Sequence, residues 1–199
     1  MPTLKRFYKE VLERAYKEVL EVRSEIATLG RSVELVIRDA MRKAALRIAN
    51  SPTELYMLEW RDLERLLLEV FEGLGFEVNL TRPSKDNGFD LQITHHENEC
   101  VQVYLVEVKH WKAPSRPGSS VYADFVDVVM REGAEKGLLL STSGFRKSLI
   151  QGRLQIEHHK VRLGAKPKIM ELCQFYTRKD CGLWELGLTL PEVLFDGTL

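Results

Sequence analysis

One stretch near the middle of the chain constrains everything around it: Val101-Gln102-Val103-Tyr104-Leu105-Val106-Glu107-Val108-Lys109-His110-Trp111. It is rich in Val, Tyr and Leu, too short for a buried helix, and bounded by turn residues, so it reads as a β-strand. Side chains alternate along a strand, which puts Val101, Val103, Leu105, Glu107 and Lys109 on one side. An apolar row therefore ends in an acid and a base pointing the same way. Buried charges are costly unless they pair or hold a metal. A strand end emerging into water with Glu107 and Lys109 as an ion pair is the plain reading, and a metal-assisted site is the alternative.

The 199 residues are 44% hydrophobic, enough to bury a real core. No apolar run reaches the roughly 18 residues of a membrane span, and the start lacks the apolar centre of a signal peptide. Cys100, Cys173 and Cys181 show no Cys-x-x-Cys spacing, so the expectation is reduced thiols in a cytoplasm, with no membrane partner. Net charge is zero, which argues against an indiscriminate nucleic-acid binder. The distribution is uneven. From Arg146 to Lys179 nine basic residues stand against Glu157 and Glu171, a surplus of seven that suits either phosphates or a solvated face.

Along the chain, residues 3–29 and 33–49 carry apolar stripes at helical spacing, with Gly30 as a helix stop between them. The expectation is an antiparallel helical hairpin over residues 1–50, used for packing, as a dimer seam or to hold a partner subunit. Ser51-Pro52-Thr53-Glu54 reads as a capping box opening a helix to about Leu74, with Glu64 on the flank of its buried stripe. Phe76–Thr81 and Phe89–Thr94 alternate as strands, joined through the turn-rich residues 82–88, and Asp90 stands at the mouth of the second. His95-His96-Glu97-Asn98-Glu99 reads as a polar turn into the central strand, giving a three-stranded meander.

Lys112–Ser120 is a loop by composition, and Tyr122–Arg131 a helix. Gly137–Thr142 is apolar throughout, the mark of a central strand covered on both faces. A helix over Phe145–His159, a last strand over Lys168–Cys173 and a short helix near Lys179–Leu186 complete the expected order. A meander followed by a βαβ unit makes a mixed sheet with helices on both sides, an α/β domain over residues 51–199.

Asp90 and Glu107 converging at one edge of the meander would suit Mg²⁺, which prefers oxygen ligands and keeps much of its water. Lys109 would then orient or deprotonate an attacking water, with Glu64 in an outer shell. Asn87-Gly88-Phe89-Asp90 followed by Glu107-Val108-Lys109 resembles the signature of the PD-(D/E)xK nucleases. Thr142-Ser143-Gly144-Phe145 after a strand, with Glu64 on the preceding helix, is similar to the Mrr branch of restriction endonucleases. The resemblance runs from about Leu55 to Cys173. It implies a restriction-endonuclease-like α/β/α core, metal at Asp90, Glu107 and Val108, and catalytic roles for Asp90, Glu107, Lys109 and Glu64. It implies Mg²⁺, or Mn²⁺ in its place, and hydrolysis of DNA in restriction or DNA defence, by a homodimer where both strands are cut. A Holliday-junction resolvase and a non-catalytic nuclease-fold subunit are the other readings.

Overall fold

In a computed structural model the backbone is described for residues 4–81, 87–97, 100–153, 155–180 and 189–199. Residues 1–40 and 41–199 form two compact units. The expected hairpin is absent. A single helix, α1, runs from Leu4 to Asn50. Gly30 is not among the glycines with positive φ, so the chain does not take the left-handed turn that ends helices. Gly30 costs an interior helix position about 1 kcal/mol relative to Ala, too little to break 47 residues of otherwise continuous pattern. The described side chains of the first unit include an exposed apolar row of Val22, Ile26, Leu29, Val33 and Val36.

In the second unit, the last turns of α1 bury Ala45 and Ile48 in the core. The segment expected as one helix from Ser51 is two. A 3₁₀ helix spans Pro52–Met57, and α2 spans Trp60–Gly73. Ser51 makes no capping bond; its hydroxyl lies 2.8 Å from that of Thr53. Further on come β1 (Glu77–Leu80), β2 (Leu91–Glu97) and β3 (Cys100–Lys109). Helix α3 (Ser119–Arg131) leads into β4 (Lys136–Ser141), followed by α4 (Lys147–Gly152), α5 (Gln155–Lys160) and β5 (Val161–Ala165). The chain continues through α6 (Lys166–Asp180) and α7 (Leu190–Phe195).

The five strands lie in sequence order. β1, β2 and β3 pair antiparallel, and β3, β4 and β5 parallel, which is the mixed sheet expected. His95 and His96 extend β2 instead of forming a turn, with His96 Nε2 3.2 Å from Glu77 Oε2. The last strand is Val161–Ala165, not Lys168–Cys173. Ile169, Leu172, Cys173 and Tyr176 recur at helical spacing and are all buried, so that stretch is one face of α6. The expected helix near Lys179–Leu186 falls partly on α6 and otherwise outside the described residues, as does the turn over 82–86.

Alternation divides the sheet between two cores. Tyr104, Val106, Leu138 and Leu140 face α2 and α6; Leu105, Leu139, Val161 and Leu163 face α3 and α4. Leu138, Leu139 and Leu140 are all fully buried, and each contributes about 1.5–3 kcal/mol. Glycine stands second in that strand, at Gly137, because a Cβ there would lie 2.5 Å from Val129 and 2.9 Å from Phe125 of α3. The basic segment from Arg146 is partly internal. The Lys168 amino group is buried against Glu171 Oε2, Val193 O and Asp196 O, and Arg162 binds Thr198. Lys160 donates to the carbonyls of Ala134 and Glu135. That part of the surplus charge is spent on backbone carbonyls rather than offered to phosphates.

Candidate active site

The site lies where β2 begins and β3 ends. Gly88 sets the approach: its φ is +79°, and a Cβ there would sit 2.6 Å from Val128 of α3. Only glycine meets both conditions, which explains the Asn87-Gly88 turn before the acid. Asp90 is then fixed by its backbone. Its N–H donates to Val106 O at 2.9 Å, and its carbonyl accepts from Thr81 N at 2.9 Å and Thr81 Oγ1 at 3.0 Å.

The Asp90 carboxylate reaches across to β3, where Oδ2 accepts the Val108 N–H at 2.7 Å. One residue on either side, Glu107 and Lys109 form an ion pair, Nζ to Oε1 at 2.5 Å, with both side chains mostly shielded. The positive charge of Lys109 acts on Asp90 as well. So the structure assembles Asp90, Glu107 and Lys109 at one strand edge, with the Val108 backbone between them.

Glu64 arrives from α2. It is 3% exposed and paired with Arg61 one turn earlier. Burial raises its pKa, the neighbouring Asp90 charge raises it further, and Arg61 opposes both. Burial likewise raises Asp90, against the lowering effects of the Val108 N–H, Lys109 and Arg61. Hydrogen bonding between the two carboxyls adds to the rise at Glu64 and opposes it at Asp90. Two carboxyls crowded out of water are an arrangement that added positive charge relieves.

Two participants, Arg61 and His110, were not among the residues expected. Arg61 bridges Glu64 and the Thr81 carbonyl, the latter at 3.0 Å. Its spacing of three residues from Glu64 was the available signal. His110 donates Nε2–H to Leu58 O at 2.9 Å and places Nδ1 3.2 Å from Thr142 Oγ1. It thereby ties the end of β3 to the link before α2 and to the turn after β4. Thr142 N also donates to Lys109 O at 3.2 Å. Nothing in the sequence marks His110, since both partners are remote in the chain. The loop after Trp111 is anchored: Arg146 donates to Pro117 O at 3.0 Å and to Arg116 O at 3.1 Å.

Among the described residues no three His, Cys, Asp or Glu side chains surround one point. The donor set is instead two carboxylates, Asp90 and Glu107, with a backbone position at Val108. That is an all-oxygen set with few protein ligands, which fits Mg²⁺ or Mn²⁺ and not a nitrogen- or sulfur-seeking ion.

Residues 55–173 match the sequence profile of a restriction endonuclease family, Mrr_cat. An uncharacterized protein, y4cE, of Sinorhizobium fredii (strain NBRC 101917 / NGR234) is 38% identical over 174 residues. The match covers 87% of this chain and 44% of that protein, so the chain spans less than half the length of this relative. Among solved structures, the DNA modification-dependent restriction endonuclease AspBHI is similar over 74% of this chain and 38% of its own, with 18% identity and a TM-score of 0.46. FokI bound to DNA is similar over 75% of this chain and 28% of its own, with 15% identity and a TM-score of 0.46. No helix among the described residues is long and apolar enough to cross a membrane. With the profile covering more than half its length and the acid, acid and lysine at one strand edge, the chain belongs to the Mrr-like restriction endonuclease family of PD-(D/E)xK nucleases.

Proposed function

We propose that the chain is a divalent-metal-dependent endonuclease that hydrolyses phosphodiester bonds of DNA, serving restriction or DNA defence in the cytoplasm. One observation carries this reading. The Asp90 carboxylate is locked to the backbone between Glu107 and Lys109, so two acids and a cation share one strand edge. Asp90, Glu107 and the Val108 main chain would hold the metal. A bound Mg²⁺ or Mn²⁺ supplies positive charge at the phosphate oxygens and makes the attacking water more acidic.

The rest falls to the chain. Lys109 aims its ammonium where a water must be oriented and where negative charge grows on the phosphate as the P–O bond breaks. Glu107 holds Lys109 in that pose. Glu64, held by Arg61 beside Asp90, acts from outside the metal's own shell. A second copy of the chain supplies the second active site needed to cut both strands.

The test is nicking of supercoiled plasmid with Mg²⁺ or Mn²⁺, comparing wild type with Asp90→Ala and Lys109→Ala, and EDTA as control. Metal-dependent cutting abolished by both substitutions is the expected result. Parallel arms with modified DNA and with four-way junctions separate restriction from junction resolution. DNA binding without cutting on any substrate would replace this reading with that of a non-catalytic subunit.

A further inference from the structure

The catalytic unit leaves α1 unexplained. Isolated helices in water draw most of their stability from packing an apolar face, yet the apolar row of this helix stands open. Val22 is 53% exposed, Ile26 63%, Leu29 66%, Val33 51% and Val36 70%. Their spacing alternates strictly between four and three residues. Extended by sequence to Val19 and Ala40, it is three heptads, with Val19, Ile26, Val33 and Ala40 at position a and Val22, Leu29 and Val36 at position d. Ser24, Arg31 and Arg38 fall on the opposite side, at position f. A continuous helix is what this pattern requires, and a turn at Gly30 would have broken its register.

We infer that Val19–Ala40 is the seam of a parallel two-stranded coiled coil with a second copy of this chain. Two observations choose this occupant. Every a and d position from Val19 to Ala40 is apolar, so an identical helix in register matches the row over all three heptads. The charges choose the direction. The g positions are Glu18, Glu25, Ser32 and Asp39, and the e positions are Arg23, Gly30 and Ile37. An antiparallel pair sets g against g and brings acid against acid. A parallel pair sets g against the e position five residues on, where Glu18 meets Arg23, Glu25 meets Gly30 and Ser32 meets Ile37, with no repulsion.

The seam is tested independently of cleavage. Sedimentation equilibrium of the full chain at micromolar concentration should give twice the chain mass. Ile26→Glu with Val33→Glu should return it to the chain mass, while Arg31→Ala, on the outer face, should leave the dimer intact. Orientation is read from disulfides. In a background of Cys100→Ser and Cys181→Ser, Val36→Cys chains should cross-link to themselves under mild oxidation, because position 36 faces itself only in a parallel, in-register pair. A wild-type monomer, a trimer, a dimer that survives the double substitution, or absence of the Val36→Cys cross-link would each overturn the inference. A dimer without plasmid nicking would leave the seam standing and remove the nuclease reading instead.

Discussion

Val108 donates its backbone N–H to Asp90 Oδ2 at 2.7 Å, so the first acid of the site is held by the main chain of the residue lying between the second acid and the lysine. A side-chain-to-backbone bond of this kind survives substitution of Val108 but not loss of the Asp90 acceptor. The site's geometry and its electrostatics therefore meet at one atom.

Acidity in the metal-free protein follows from that crowding. Burial is the first cause holding both Glu64 and Asp90 above the ordinary carboxylate range. The folded state thus binds protons more tightly than the unfolded chain. Stability from these two groups falls as pH rises from their ordinary values, 4.5 and 3.8, through the raised folded values. In EDTA, wild type should lose melting temperature relative to Glu64→Gln as pH rises above those ordinary values. Equal slopes for the two proteins would remove Glu64 from the account.

His110 is expected to matter without touching the scissile bond. His110→Ala leaves Leu58 O and Thr142 Oγ1 without this partner and should cost about 1–3 kcal/mol in denaturant unfolding. Plasmid nicking should fall with it, and His110→Gln, which keeps a donor, should recover part of both. An unchanged unfolding midpoint for His110→Ala would show the bridge to be incidental.

Two cysteines should separate by reactivity. Cys100 is exposed, while Cys173 is fully buried and its thiol is pushed up to about 12 by burial. Mass spectrometry after iodoacetamide treatment should find Cys100 alkylated in the native protein and Cys173 only after unfolding. Alkylation of native Cys173 at a comparable rate would mean that α6 opens readily from the sheet.

The tight approach of α3 to β4 gives a packing test. Gly137→Ala inserts a methyl 2.5 Å from Val129 Cγ2 and 2.9 Å from a Phe125 ring carbon. Overpacking of this kind costs about 1–3 kcal/mol, visible as a lowered melting temperature. Val129→Ala in the same chain should recover part of the loss, and a Gly137→Ala protein as stable as wild type would show that α3 shifts freely.

Strands whose neighbours in sequence are also neighbours in space were legible from alternation and turn chemistry alone, which is why β1 to β4 and α3 lie close to where the pattern puts them. Glu107 and Lys109 stood out as candidates because the acid-x-lysine pair ends an apolar row, Asp90 because it stands at a strand mouth, and Glu64 because it flanks a buried helix stripe. Where two periods compete, local pattern was a poor judge. Lys168–Cys173 looks like a strand over six residues and becomes a helix face only when Tyr176 is counted with Ile169, Leu172 and Cys173. Gly30 looked like a stop because glycine ends many helices, but a stop needs the left-handed conformation, and the heptads on either side keep the helix going.

By itself, then, the sequence determined the antiparallel meander, the mixed sheet and a central strand covered on both faces, and it marked the acids and the lysine as candidates, because periodicity and burial are properties of short stretches. Only the tertiary structure decided that Asp90 binds Val108, that Arg61 shares Glu64 and that His110 joins Leu58 to Thr142. Those are contacts between segments far apart in the chain, and their partners are backbone atoms or single side chains that leave no spacing to read. The same holds for Lys168, one more cation in a basic run by sequence, whose three partners lie on its own helix and in and just after α7 and make it a buried strut.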